Sequence, residues 1–330
     1  AGDVMPPERS SLPAVDYIKS VAILAVLVQH AVPSFLDQPF TPELATIYGS
    51  VCFHVPAFLF LAGFLTRAEA TVTWRDVGAR LQRIVPPYLV ATAFAVACGF
   101  VAPLGLRRLI FVTVMGAALG HYYFVPVLIF CLLLLPAFSR MSTPALIGGT
   151  LLILVAAQYM WLSLEWRLAH EIFWQIRNPI LQFHLGFFLL GMIAARLRPT
   201  LERLATRHRF AILGTAAVSV PLFVGFGSVN EVIFQPTTHA AYTLLVMGLI
   251  ASAVTREPAP TWIRFLSEAT FTIYLYHLFA YKAVGSLMPS DTPLILRVAV
   301  LMSAGLAFST LIALLGRRAL GARSRLLLGT

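Results

Sequence analysis

The sequence predicts an all-α, polytopic membrane protein of about ten transmembrane helices with both termini in the cytoplasm. Three observations predict it: the composition, a series of long apolar runs, and the distribution of basic residues. Of the 330 residues, 59% are hydrophobic and 12% are charged. A soluble domain carries about 25% charged residues, so this chain holds roughly half the usual number. The mean hydropathy is +0.83. Disorder is excluded, and a water-soluble enzyme is strongly disfavoured.

The apolar runs fall near 14–36, 46–65, 86–103, 121–138, 144–163, 180–197, 209–227, 238–254, 267–288 and 294–316. Each is long enough to cross as a helix, which satisfies its own backbone groups in lipid. Leu109–Leu119 is too short to cross and is expected as a re-entrant or interfacial piece. Basic residues set the orientation. With loops assigned to alternate sides, eighteen Lys and Arg fall on one side and six on the other. The rich side holds Arg75, Arg80 and Arg83, then Arg196 to Arg209, then Arg317 to Arg325. Cytoplasmic loops carry that excess. The expected organisation is an N-terminal cytoplasmic segment over 1–13, a transmembrane domain over 14–316 and a basic cytoplasmic tail over 317–330. The multi-pass location expected is a cell membrane, most simply a bacterial cytoplasmic (inner) membrane.

The net charge of +10 would suggest nucleic acid in a soluble protein. Here loop orientation explains it, and no nucleic-acid partner is expected. The three cysteines, Cys52, Cys98 and Cys131, sit in apolar runs without a CxxC pair, so neither a disulfide framework nor a zinc site is expected.

Ionisable residues inside a span are costly and mark cavities or partners. No Asp or Glu lies in the middle of a span; Asp16 and Glu268 stand near cytoplasmic ends. This weighs against a proton- or sodium-coupled transporter. Histidines are concentrated instead. His30, His54, His121, His184 and His239 fall in or near the outer half, His170 in an outer loop and His277 near the middle of the ninth span. Histidine is the natural general base near neutral pH. A single one on a helix is more often structural, but several at one depth indicate a polar cavity. No HxxxH or supporting carboxylate is present, so no metal is expected.

Four segments carry candidate chemistry. In the first span, ten residues separate Lys19 from His30. Eleven helical steps of about 1.5 Å place them about 16 Å apart on one broad face. Asp16 lies one turn from Lys19 and can pair with it. A snorkelling lysine and a headgroup histidine would give the same spacing, so both readings stand at this point. Arg80 and Arg83, one turn apart, make a compact phosphate clamp; arginines at a cytoplasmic span end also serve orientation alone. Pro86 and Pro87 then mark where the third span begins. His54 opens the second span, and His121-Tyr122-Tyr123-Phe124 opens the fourth. Such residues anchor helices at the interface and also supply the stacking and hydrogen bonds that a sugar needs.

Taken in order, these segments resemble the acyltransferase-3 family of integral-membrane O-acyltransferases. Asp16-Tyr-Ile-Lys19 through His30 resembles the family's first helix, in which a basic residue, usually Arg, precedes an essential His by ten intervening positions. Phe53-His54-Val-Pro56 to Gly63-Phe64 resembles its second helix, which often has Ser where Ala62 stands. Arg80-Leu-Gln-Arg83 with Pro86-Pro87-Tyr88 matches its RxxR element, associated with the acyl-CoA donor. His121 to Phe124, Phe187 to Met192, and Leu266 to His277 match later landmarks. The resemblance covers roughly residues 14 to 315, without the soluble esterase-like domain that some members carry.

The resemblance implies an acyl group, most simply acetyl, moving from cytoplasmic acyl-CoA to a hydroxyl of a carbohydrate or glycoconjugate arriving from the other side. It implies His30 as general base with Lys19 and Asp16 beside it in the catalytic set. Arg80, Arg83 and Lys19 would hold the donor, and His54, His121, Tyr122, Tyr123 and His277 the acceptor. Acetyl-CoA, or another acyl-CoA, is then a substrate, with no metal, and membrane lipid is the surrounding partner. An acyl-histidine intermediate remains an alternative to direct transfer. The competing reading from a different class is a transporter or flippase of a polar lipid or sugar, its path lined by the histidines.

Overall fold

The structure is a computed structural model. It describes residues 12–32, 41–66, 71–101, 105–162, 184–227, 236–254, 257–289 and 291–329. Among them every regular element is helical. The segment up to residue 11 and the loop 164–179, with His170, Arg167 and Arg177, lie outside the described residues, as do Arg67 and Arg256.

Each of the ten apolar runs overlaps helix among the described residues, the second of them as two helices. The first is α1, Pro13–Ala31, with Pro13 at its start, where a missing N–H costs nothing. Its 19 residues give about 28 Å, close to the roughly 30 Å hydrocarbon thickness. Among the described residues, four stretches are long and apolar enough to cross a membrane by length and composition: Pro13–Ala31, Pro42–Phe64, Arg209–Gly227 and Leu294–Leu327. Four shorter apolar helices are Phe124–Arg140, Thr143–Tyr159, His184–Arg196 and Thr237–Ala253.

Three boundaries differ from the expectation, each for a physical reason. The second span is broken into α2, Pro42–Val51, and α3, His54–Phe64. The break frees backbone carbonyls, which buried side chains then satisfy. Tyr242 donates to Ser50 O at 2.9 Å, His54 Nδ1 to Val51 O at 2.6 Å and His239 Nε2 to Cys52 O at 3.1 Å. Irregular backbone in a membrane is tolerated only where protein supplies such partners. The third span begins twelve residues earlier than expected, as α4, Trp74–Ala97. Thr73 and Asp76 form a reciprocal capping box, which fixes the start. Pro86 and Pro87 therefore lie inside the helix rather than at its start, and Arg80 and Arg83 sit on regular helix rather than loop. The interfacial piece is α5, Leu106–Met115.

The chain continues as α6, Phe124–Arg140, and α7, Thr143–Leu162. Next come α8, His184–Arg196, α9, Arg198–Arg207, and α10, Arg209–Leu222, which a π turn extends to Gly227. Then follow α11, Pro236–Ala253, α12, Thr261–Gly285, and α13, Leu294–Leu320. A short turn leads into α14, Ser324–Leu327.

Close backbone packing holds α3 to α8. A Cβ at Gly63 would strike the carbonyl of Phe188, and one at Gly191 the carbonyl of Phe60. Small residues permit this approach where lipid offers no hydrophobic drive between helices. The pair α1 and α12 is central and parallel. Ser267 Oγ donates to Asp16 Oδ1 at 2.7 Å near one end, and Tyr281 hydroxyl donates to Leu27 O at 2.8 Å towards the other. On the far side of α12, Gly305 of α13 lies against Tyr281 and the Cβ of His277.

Candidate active site

Three imidazoles from three distant parts of the chain meet inside the bundle. The ring centroids of His30 and His121 are 5.3 Å apart, those of His30 and His277 5.3 Å, and those of His121 and His277 4.8 Å. His277 is 0% exposed and His121 3%; His30 is half-buried and faces them rather than lipid.

Backbone carbonyls fix two of these rings. His277 Nδ1 lies 3.0 Å from both Ile273 O and Tyr274 O. Carbonyl oxygens only accept, so Nδ1 carries the proton and Nε2 keeps its lone pair. By the same reasoning His121 Nε2 donates to Tyr274 O at 2.9 Å, leaving Nδ1 as the acceptor. His277 Nε2 and His121 Nδ1 are both buried without a hydrogen-bond partner. A buried polar atom left unpaired costs free energy, and unpaired groups in a native structure often mark function. Tyr274 hydroxyl donates back to His121 O, and Tyr122 hydroxyl donates to Leu275 O at 2.8 Å. The His121-Tyr122 pair is thereby clamped to α12.

A cavity of about 820 Å³ reaches this cluster only through Tyr274; none of the three histidines is among its lining residues. Its charged end is lined by Lys19, Arg83, Glu268, Arg317 and Arg325. Its apolar wall is built from Phe58, Leu61, Ala62, Phe124 and Leu128. Tyr274 belongs to both places: it lines the cavity, and its ring packs on His121 at 4.9 Å and on Phe124 at 5.5 Å.

The predicted site residues therefore separate. His30, His121 and His277 come together. Lys19 and Arg83 line the cavity, whereas Arg80 is not among its lining residues. The expected direct Asp16–Lys19 pair is not formed: Asp16 accepts from Ser267 instead, although its charge, with that of Glu268, still acts on Lys19. Tyr122 is a buried clamp. Tyr123 packs on His184 at 5.9 Å, and His54 spends Nδ1 on the helix break, so neither makes a ring contact with the trio.

Sequence reasoning missed Tyr274, Tyr281, Arg317 and Arg325. Tyr274 falls within the Leu266–His277 landmark of the family resemblance, but nothing there gave it a role. Gln29 was missed too; beside His30, it donates to Tyr48 hydroxyl at 3.0 Å and leaves a buried Oε1 unpaired. Although three imidazoles meet, no group of three or more His, Cys, Asp or Glu among the described residues is arranged to hold a metal ion.

Fold and site together define a helical protein with a buried histidine cluster inside the bundle and a cation-lined cavity that meets it at Tyr274. The chain belongs to the acyltransferase-3 family. The family profile, described as an acyltransferase domain, matches residues 12–314, nearly the whole length. The protein is thus a membrane-associated acyltransferase, a class that works on an acyl donor and a hydroxyl acceptor. A search of curated proteins and a search of solved structures each found no match.

Proposed function

We propose that the protein is a multi-pass O-acyltransferase of a bacterial cytoplasmic membrane. It moves an acyl group, acetyl first, from cytoplasmic acyl-CoA to a hydroxyl of a carbohydrate or glycoconjugate on the opposite side. The observation that carries this reading is the meeting of His30 with two carbonyl-locked histidines next to a cavity whose mouth is cationic.

The charged end suits the phosphates of coenzyme A, with Lys19 and Arg83 as point charge and fork. The apolar wall suits the pantetheine arm and directs the thioester towards Tyr274 and the trio. Lys19, about 16 Å from His30 along α1, serves the phosphate end and not the reacting carbonyl. The acceptor enters from the other side, and hydroxyls neighbouring the reacting one donate to the waiting lone pairs of His121 and His277. The reacting hydroxyl donates to His30, which removes its proton as the oxygen attacks the thioester carbonyl. The carbon–oxygen bond forms, the tetrahedral intermediate collapses, and the carbon–sulfur bond breaks. The departing thiolate takes the proton back from the His30 imidazolium. Ester and free coenzyme A thiol leave in equal amounts. Asp16 acts indirectly here, holding Ser267 and biasing the charge at the mouth.

Both parallel central helices start at the charged end, which fits a first and a ninth crossing in the same sense and a cytoplasmic N-terminus. The test supplies labelled acetyl-CoA to membranes containing the wild-type protein or His30→Ala. The reading expects label in an ester-linked glycan and matching thiol release with wild type only. Label movement without thiol release would instead make the protein a transporter.

A further inference from the structure

The cavity mouth contains two arginines that the family match does not reach. Arg317 and Arg325 lie beyond residue 314, where that match ends, yet both line the cavity with Lys19 and Arg83. The segment 321–329, expected as part of a basic tail, is packed rather than trailing. Thr272 Oγ1 donates to Leu328 O at 2.9 Å. Leu328 fills the space over Gly316, and Gly329 abuts Phe271. The fold-back brings Arg325 to the same cavity as Arg83.

The charges there do not balance. Arg317 pairs with Glu268 at 3.2 Å and lies over the Phe265 ring. Among the described residues, Arg83 and Arg325 are in no hydrogen bond or ion pair, and Glu268 is the single carboxylate on the cavity wall. Four cations line the cavity against Glu268, with Asp16 acting on Lys19 from just outside the wall, so positive charge remains in excess and favours an anion. The apolar wall behind them excludes a bare inorganic ion as the best fit. It calls for a ligand with a polyphosphate at one end and a long, thin, weakly polar arm at the other.

We propose that Arg325, held in place by the folded-back C-terminal segment, binds a phosphate of the nucleotide end of the acyl-thioester donor, with Arg317 beside it. This deepens the donor reading above and rests on it. Arg325 is exposed and makes no hydrogen bond or ion pair among the described residues, whereas Leu328 and Thr272 tie the segment down, so Arg325→Gln should remove the charge and keep the fold-back.

The experiment measures equilibrium binding of acetyl-CoA and of S-acetylpantetheine, which has the arm but no nucleotide phosphates. The protein is the full chain in nanodiscs of phosphatidylcholine alone. Arg325→Gln should weaken acetyl-CoA binding about tenfold, the loss typical of one charge-assisted hydrogen bond, and leave S-acetylpantetheine binding unchanged. Arg325→Lys should recover part of the loss. Equal weakening of both ligands would make the residue structural and overturn the proposal. So would an unchanged acetyl-CoA affinity, whether or not the variant loses co-purified anionic lipid; if it does, the arginine serves a lipid headgroup. Unchanged affinity in Arg325→Gln with weakening in Arg83→Gln would remove this proposal while leaving the donor reading intact. Failure of wild type to bind acetyl-CoA would remove both.

Discussion

The histidine cluster and the cation-lined cavity, the two ends of the proposed reaction path, are built on opposite physical principles. At the imidazole end, nearly every polar group is committed: His121, Tyr122, Tyr274 and His277 bond to backbone, and only chosen lone pairs are left open. At the mouth, Arg83 is exposed and without a hydrogen bond or ion pair among the described residues, and so is Arg325; Arg317 reaches Glu268 through one partly exposed ion pair. The first arrangement suits chemistry that depends on fixed geometry in a dry interior. The second suits capture of a flexible, highly charged molecule from water. Damage to one end should therefore appear in the chemical step, and damage to the other in donor affinity.

The largest expected effect tests the chemical end. His30→Ala should lower transfer by about 10²–10⁴-fold, the usual worth of a general base, while the protein purifies and melts like wild type. A variant with full turnover would move the base elsewhere in the trio. Next comes packing behind that end. In Gly305→Ala the new methyl would press on Tyr281, whose hydroxyl is tied to Leu27 O. The expected cost is about 1–3 kcal/mol, read as a lower melting temperature in detergent; an unchanged melt would mean that α13 can shift freely.

The mouth responds differently. Arg83→Gln should raise the KM for acyl-CoA about tenfold with kcat unchanged, the signature of lost uniform binding. A fall in kcat at unchanged KM would blur the distinction between the ends. The smallest effect is Tyr274→Phe, which keeps the ring and removes its bond to His121 O. It should cost about 1 kcal/mol in thermal unfolding, with the KM for acyl-CoA unmoved. A raised KM would assign the hydroxyl to the donor instead.

Much of this was legible in the sequence, and the remainder was not for identifiable reasons. Apolar runs mark helical segments directly, so each run overlaps helix among the described residues. The start of α4 differs because a Pro-Pro pair looks like a beginning, whereas the capping box at Thr73 begins the helix and the prolines lie inside it. The break at Cys52-Phe53 has no local signal, because its carbonyls are satisfied by Tyr242 and His239, far along the chain. Similar distance hides the trio: the sequence reading puts His30 and His121 in or near the outer half and His277 near the middle of its span, and only packing brings the three rings together. Arg80 and Arg83 look equivalent as an RxxR pair, yet only Arg83 faces the cavity. Arg317 and Arg325 served only as orientation signals until the fold-back of the last residues brought them to the same opening.

The most direct measurement of the central claim, that the cationic mouth and the imidazole cluster belong to one route across the membrane, uses sealed inside-out vesicles. Labelled acetyl-CoA is supplied outside, at the former cytoplasmic face, and label is sought on glycan sealed within the lumen. The account predicts lumenal ester-linked label with stoichiometric thiol release, lost in His30→Ala. Label confined to acceptors on the donor's own side, or lumenal label that survives His30→Ala, would contradict it.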